Sequence, residues 1–273
     1  MISDYLLERY FTQGYIHLRS VIPLDTIYEI RNQIADLIVD QTRKIEKYKS
    51  ELLDGAIIDS RYLDLRNDLS TAKRASFVYD GIKKIPLVAQ LSSSQIFEDL
   101  AKVLMKSDRV GFAPRGYGIR IDTPNDKAHL TPLHQDYHTN MGSVDGITFY
   151  CPLFSLDLST GPLIVYPTSH KLGLLSVERA TEHNLSTDLV PMISNSDLEQ
   201  FKAVQPNVEA GDTLALNNLT LHKSGFNNGT HSRWTLISRW FNLKDQGAIA
   251  RGYKCGVNEG VNFEDEHPDL INI

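Results

Sequence analysis

Residues 211–241 read GDTLALNNLTLHKSGFNNGTHSRWTLISRWF. Two runs rich in β-branched and aromatic residues, within 212–218 and 233–243, flank a polar segment that contains Asn228-Gly229. That dipeptide is a strong signal for a type I′ hairpin, because both of its residues tolerate a positive φ. In the hairpin register, Asn227 pairs with Thr230 and Ser224 falls opposite Arg233. Side chains two apart on a strand share a face. His222, Ser224 and Arg233 would then look the same way. An imidazole suits a metal, and a guanidinium fork matches a carboxylate. Such a face could seat a chelating keto acid, with one end on the ion and the far carboxylate on Arg233.

The same punctuated pattern extends upstream. YGIRID (117–122), ITFYCPLFSLD (147–157) and GPLIVYP (161–167) are short strand-like runs broken by Gly, Pro, Asn and Asp. A series of this kind predicts a sandwich or jelly roll. Before Arg109 the character is helical. Ser3 or Asp4 caps a helix ending near Gly14, and YIHL (15–18) reads as a strand. Ile27, Ile30, Ile34, Leu37 and Ile38 then recur at helical steps, with Asp25 as N-cap. SQIFEDLAKVLM (94–105) is another amphipathic helix. Lys44 to Lys49 reads as a solvated helix end. The fold class expected is mainly β with flanking helices, in one domain: a helical part about 1–108, a jelly-roll core about 109–244 and a loosely held acidic tail 245–273. A polar, aperiodic stretch near 176–205 reads as an insertion, the usual form of a lid or binding loop.

The distal His222 needs partners. TPLHQDYHTN (131–140) places His134 and Asp136 two residues apart after Pro132, which suits a strand start. Both would project to one face and offer adjacent ligands to one ion. With His222 they form a facial triad that leaves three positions open. His129, His138 and His231 are rival ligands, and each of these histidines alone more often makes a plain hydrogen bond. Tyr137, His138 and Asn140 follow the ligand pair and are expected to face the substrate. Arg74, Arg115 and Arg120 could meet a small anionic metabolite.

Several blocks resemble the phytanoyl-CoA dioxygenase-like branch of the iron(II)/2-oxoglutarate oxygenases. LHQDYHTNMGS (133–143) is similar to the family's first ligand segment. GPLIVYPTSH (161–170) resembles its Gly-x-Leu…Pro-Gly-Ser-His segment, with Thr168 where glycine is usual and His170 in a structural place. The 211–241 block, with its eleven-residue step from His222 to Arg233, resembles the distal ligand and arginine block. FTQGYIHLRSVIPLDTIYEIRNQI (11–34) is similar to the usual N-terminal segment. The resemblance implies iron(II) on His134, Asp136 and His222. It implies 2-oxoglutarate held by Arg233 and Ser224, with Tyr150 and Tyr117 as aromatic neighbours of the cosubstrate. It also implies a double-stranded β-helix that uses O₂ to hydroxylate an unactivated C–H bond of a small molecule, with release of succinate and CO₂. A cupin-type metal hydrolase or isomerase and a non-catalytic jelly-roll binding protein are the rival readings.

Composition narrows the classes. The 273 residues are 41% hydrophobic and 23% charged with a net charge of −6, an ordinary globular balance with no basic footprint for nucleic acid. No basic patch for coenzyme A phosphates stands out beyond Lys83-Lys84. Two cysteines make no disulfide framework, and no apolar run nears the roughly 20 residues that span a bilayer. The expectation is a cytoplasmic protein that acts on a small molecule. Its substrate and oligomeric state are not written in the sequence.

Overall fold

The computed structural model describes residues 2–42, 55–114, 116–179 and 189–272. Six helices lead the chain: α1 (Asp4–Gln13), α2 (Leu24–Thr42), α3 (Gly55–Asn67), α4 (Ala72–Ile82), α5 (Pro86–Ser92) and α6 (Gln95–Leu104). Ser3 caps α1 by accepting from the Leu6 N–H, and Gly14 ends it at φ 78. The expected Asp25 cap is displaced, because α2 already begins at Leu24 and Asp25 lies in its first turn. The charge run Lys44 to Lys49 and Arg115 lie outside the described residues.

The strands are β1 (Tyr15–Leu18), β2 (Val110–Phe112), β3 (Gly118–Asp122), β4 (Ile147–Pro152), β5 (Ile164–Val165), β6 (Val177–Arg179), β7 (Leu189–Pro191), β8 (Thr213–Asn217), β9 (His222–Lys223), β10 (Arg233–Asn242) and β11 (Ile271–Asn272). An antiparallel major sheet runs β1-β8-β4-β10, and β3 and β2 pair with successive halves of the far edge of β10. Facing residues of this sheet, β5 pairs with β9, and His134 bridges to His222 on the other side of β9.

Period-two alternation on the major sheet separates core from site. Phe149, Cys151, Ala215, Trp234, Leu236 and Trp240 join Ile27, Ile30, Ile34 and Phe97 of the helices in one buried cluster. Phe149 stacks on Phe97 with ring centroids 4.7 Å apart. The alternate residues Tyr150, Leu214 and Leu216 face inward with Val165 and Val208 in a second cluster. Both faces are covered, so β4 is buried at every position, unlike a half-solvated strand. Asp59 of α3 fastens the helical layer to β10. It accepts from the Trp234 indole N–H (2.8 Å) and the Ser232 backbone N–H (2.7 Å).

Three expectations need correction. The chain is not mainly β, since helix outweighs strand among the described residues. The hairpin across Asn228-Gly229 does not form, because β9 pairs with β5 and β10 with β3 and β4. The Asn228 and Gly229 N–H groups donate instead to the Ser159 carbonyl, so a tertiary contact overrides the local turn preference. The residues after 245 are docked rather than loose. Phe263 is buried with Tyr137, Met141, Val177 and Val261, and β11 pairs in parallel with β6. The polar stretch 176–205 carries β6, β7 and a short helix (Asn195–Glu199), and its residues 180–188 lie outside the described set.

Candidate active site

His134, Asp136 and His222 converge although the expected flat strand is absent. His134 sits in the bridge to His222, and Asp136 opens a helical turn, α7 (Tyr137–Asn140). The bridge brings the two imidazoles to a centroid distance of 4.1 Å. The helical turn swings the Asp136 carboxylate between them, with Oδ1 3.9 Å from His134 Nε2 and Oδ2 3.6 Å from His222 Nε2. Ligand atoms of the three all lie within 4.8 Å of one another, and all three side chains are buried.

Each histidine Nδ1 sits 2.9 Å from the carbonyl two residues before it, Pro132 for His134 and Thr220 for His222. A carbonyl can only accept, so each Nδ1 carries the proton and each Nε2 presents a lone pair to the site. Burial pushes His134 down to about 3, helped by the neighbouring His222, so it is neutral near pH 7. Burial would raise the Asp136 carboxyl. The Arg239 guanidinium beside it counters this and holds the group well below the carboxylate range. Asp136 Oδ2 is buried without a hydrogen-bond partner. Two imidazole Nε2 atoms aimed at the site and an unsatisfied carboxylate oxygen are a donor set that fits a divalent first-row metal ion.

A cavity of about 170 Å³ runs from this triad to Arg233 and is also lined by Tyr150, Ser224 and Arg239. Arg233 opens β10 opposite Asp122 of β3. Its guanidinium is almost wholly buried, lies 2.9 Å from the Asp122 carboxylate through Nη2, and donates to Ser224 Oγ at 3.4 Å. Ser224 and Arg233 thus meet as expected, through two different sheets rather than one hairpin. Asp122 is itself held in its charged form: burial opposes the charge, but Arg233 and Arg120 prevail. Arg233 Nη1, the Tyr150 hydroxyl, Thr148 Oγ1 and Arg239 Nε are buried without partners and all belong to residues of this cavity. Burial raises the Tyr150 hydroxyl, only partly offset by Arg233, so it stays protonated and able to donate. Buried polar atoms are nearly always satisfied, so such a group of orphans marks a polar ligand site.

The other expected site residues separate. Helical rotation after Asp136 turns Tyr137 and His138 away from the cavity. The Tyr137 hydroxyl pairs with His267 Nε2 (3.2 Å), and His138 Nε2 lies 3.0 Å from the Leu175 carbonyl. Asn140 donates to Asp136 Oδ1 at 3.3 Å. Arg120 lines the cavity, with Nε on Asp122 (2.8 Å) and Nη2 on the His129 carbonyl (2.7 Å). Tyr117 packs at a tilt against Phe112 outside the cavity lining, and its hydroxyl donates to the Lys83 carbonyl at 3.4 Å. Arg74 donates to the Gln41 carbonyl, away from the triad. His129 and His231 are exposed on their own acidic partners. Sequence reasoning missed Asp122 and Arg239. Both were within reach of period-two counting, since Asp122 follows Arg120 by two and Arg239 follows Arg233 by six.

A profile of the phytanoyl-CoA dioxygenase (PhyH) family matches residues 10–235, which include all three triad residues and Arg233. The chain belongs to the phytanoyl-CoA dioxygenase family. This PhyH-family chain is therefore an enzyme of the iron/2-oxoglutarate-dependent oxygenases, with His134, Asp136 and His222 as its facial triad. No curated protein matches its sequence significantly. Solved structures similar to it include the epimerase SnoN in complex with Fe3+, alpha ketoglutarate and nogalamycin RO. That likeness has a TM-score of 0.60 at 15% identity, covering 91% of this chain and 88% of the other. EctD from S. alaskensis, solved with 2-oxoglutarate and 5-hydroxyectoine, gives 0.60 at 17% identity, covering 89% and 77%. EvdO2 from Micromonospora carbonacea var. aurantiaca gives 0.59 at 16%, covering 88% and 91%. At such identities the likeness is one of fold. No helix among the described residues of this PhyH-family enzyme is long and apolar enough to cross a membrane.

Proposed function

We propose that this enzyme binds iron(II) on His134, Asp136 and His222 and 2-oxoglutarate between the metal and Arg233, and hydroxylates an unactivated C–H bond of a small metabolite or natural-product intermediate. The observation that carries the reading is the single cavity joining the triad to unpartnered donors on Arg233 and Tyr150. A metal hydrolase of similar shape would have no use for a buried guanidinium at the far end of its ligand pocket. We further infer that the two facing sheets are those of a double-stranded β-helix within one domain spanning the chain, and that its partner is a small molecule.

The bound metal would supply O₂ activation coupled to loss of CO₂ from 2-oxoglutarate. The protein's own part is binding, orientation and exclusion of water. Arg233, Ser224 and Tyr150 hold the distal carboxylate by charge-assisted and hydroxyl hydrogen bonds. The Pro132 and Thr220 carbonyls keep each Nε2 aimed at the ion. Leu163, Leu216 and Ile237 give the cavity an apolar wall that keeps bulk water from the reacting atoms. In balance, substrate C–H, 2-oxoglutarate and O₂ give the C–OH product, succinate and CO₂. Asp136 fills the ligand position a halide would need, so oxygen rather than chlorine is transferred.

The test is turnover of a metabolite library with iron(II), 2-oxoglutarate, ascorbate, excess chloride and ¹⁸O₂. Succinate and a product heavier by one labelled oxygen are expected. A chlorinated product refutes the outcome. A product of unchanged mass moves the reaction to epimerisation, and one lighter by two hydrogens moves it to desaturation or ring closure. Absence of 2-oxoglutarate binding to the anaerobic metal-loaded protein refutes the enzyme reading itself.

A further inference from the structure

Arg239 is the second arginine of β10, six residues beyond Arg233 and so on the same face. It lines the cavity from the triad's side. Its Nη2 donates to Asp136 Oδ1 at 3.4 Å and its Nη1 to the Gly116 carbonyl at 2.9 Å. A Cβ at Gly116 would lie 3.3 Å from Arg239 Cβ and Cδ, so glycine there gives the arginine stem room. Asn140 donates to the same Oδ1 at 3.3 Å. One carboxylate oxygen is therefore engaged from two sides, while Oδ2 is buried and unpartnered.

We infer that Arg239 is a positioning residue for the metal's carboxylate ligand: by occupying Oδ1 and anchoring itself on the Gly116 carbonyl, it presents Asp136 through Oδ2 alone. The inference rests on the reading of His134, Asp136 and His222 as metal ligands. A carboxylate with both oxygens free can turn about its bond to Cβ or take the ion with both oxygens. Held at Oδ1, it supplies one ligand and leaves the remaining positions to cosubstrate and O₂. A planar fork reaches two acceptors at once, which an ammonium on a flexible stem cannot do with the same geometry.

A positive charge beside a cation site has a second, opposite effect, and this makes the role measurable. If Arg239 acted only through its charge, its removal would tighten binding of a divalent ion. If it positions Asp136, removal weakens binding, and loss of a group orienting a metal ligand typically costs about 10- to 100-fold in metal affinity. The experiment is an anaerobic Mn(II) titration, without cosubstrate, of wild type, Asp136→Ala, Arg239→Ala and Arg239→Lys. Near-UV circular dichroism of each metal-free protein checks its fold. Wild type should bind Mn(II) and Asp136→Ala should not. Arg239→Ala and Arg239→Lys should both bind about 10- to 100-fold more weakly. Millimolar guanidinium should restore Arg239→Ala, while sodium chloride at equal ionic strength should not. Arg239→Ala binding as tightly as wild type, or tighter, overturns the inference and leaves the metal centre standing. A loss that guanidinium does not restore reports lost packing and overturns it too. Failure of wild type to bind Mn(II) overturns the metal centre and the inference together.

Discussion

Replacing Arg233 with lysine tests the cosubstrate site where its geometry is tightest. The guanidinium is almost completely buried and divides its donors between Asp122, Ser224 and a free Nη1 facing the cavity. Lysine keeps the charge but has one compact head, so it can satisfy Asp122 or reach the ligand, not both. Truncating one partner of a buried, hydrogen-bonded charge pair costs about 2–5 kcal/mol. At about 1.4 kcal/mol per tenfold, 2-oxoglutarate affinity should fall by roughly 30- to several thousand-fold. The measurement is titration of 2-oxoglutarate into the anaerobic metal-loaded protein by calorimetry. Arg233→Met adds a stability signature. Asp122 then loses Arg233 and keeps Arg120 against burial, so its folded pKa moves up from its depressed position. A group depressed on folding contributes stability above its unfolded pKa and loses it as pH falls through the folded pKa. That contribution is smaller in the variant, so its stability deficit relative to wild type should narrow on acidification from neutral pH. Affinity within a few-fold of wild type in Arg233→Lys would refute the assignment of the distal carboxylate to this residue.

Asp59→Ala strips the partners from two buried donors, the Ser232 N–H and the Trp234 indole N–H. Each costs about 1–3 kcal/mol when left unpaired, so the denaturant midpoint should drop markedly; a change under 1 kcal/mol would show that α3 is not pinned to β10 in this way. Thr168 holds φ 71, a left-handed geometry that a β-branched residue resists. Thr168→Gly should therefore leave stability unchanged or raise it by up to about 1 kcal/mol in thermal unfolding, since glycine's entropy cost offsets part of the relieved strain, and a clear loss would mean the threonine side chain itself stabilises the turn.

Much of the candidate site was legible. His134, Asp136, His222, Ser224 and Arg233 were singled out by residue type and spacing and Tyr150 by family resemblance, and one cavity gathers all six. The reasons given for their meeting were partly wrong. Local turn preference at Asn228-Gly229 predicted a hairpin, yet β9 and β10 belong to different sheets, and no single-sequence rule reports which strands a segment will choose. The i,i+2 rule failed at Asp136, where the chain leaves extended geometry for α7 and carries Tyr137 and His138 out of the site. The tail misled because its polar composition hides Val261 and Phe263, two buried anchors among acidic neighbours. Helical content was underestimated because α3 has no clean apolar stripe to read.

The major sheet also bears on how the molecule is made. β1 pairs with β8, Tyr15 against Leu216, so one edge of the sheet joins segments from opposite ends of the sequence. The helices of the first hundred residues bury their apolar faces against β4, β8 and β10, all synthesised later. On a translating ribosome those helices emerge before the sheet face they cover, and His222 and Arg233 arrive well after His134 and Asp136. Closing so long a loop is slow in search time and leaves sticky surface exposed in the interval. The site is complete only once β9 and β10 are in place, with β10 between β4 and β3 and the helical layer packed on its other face.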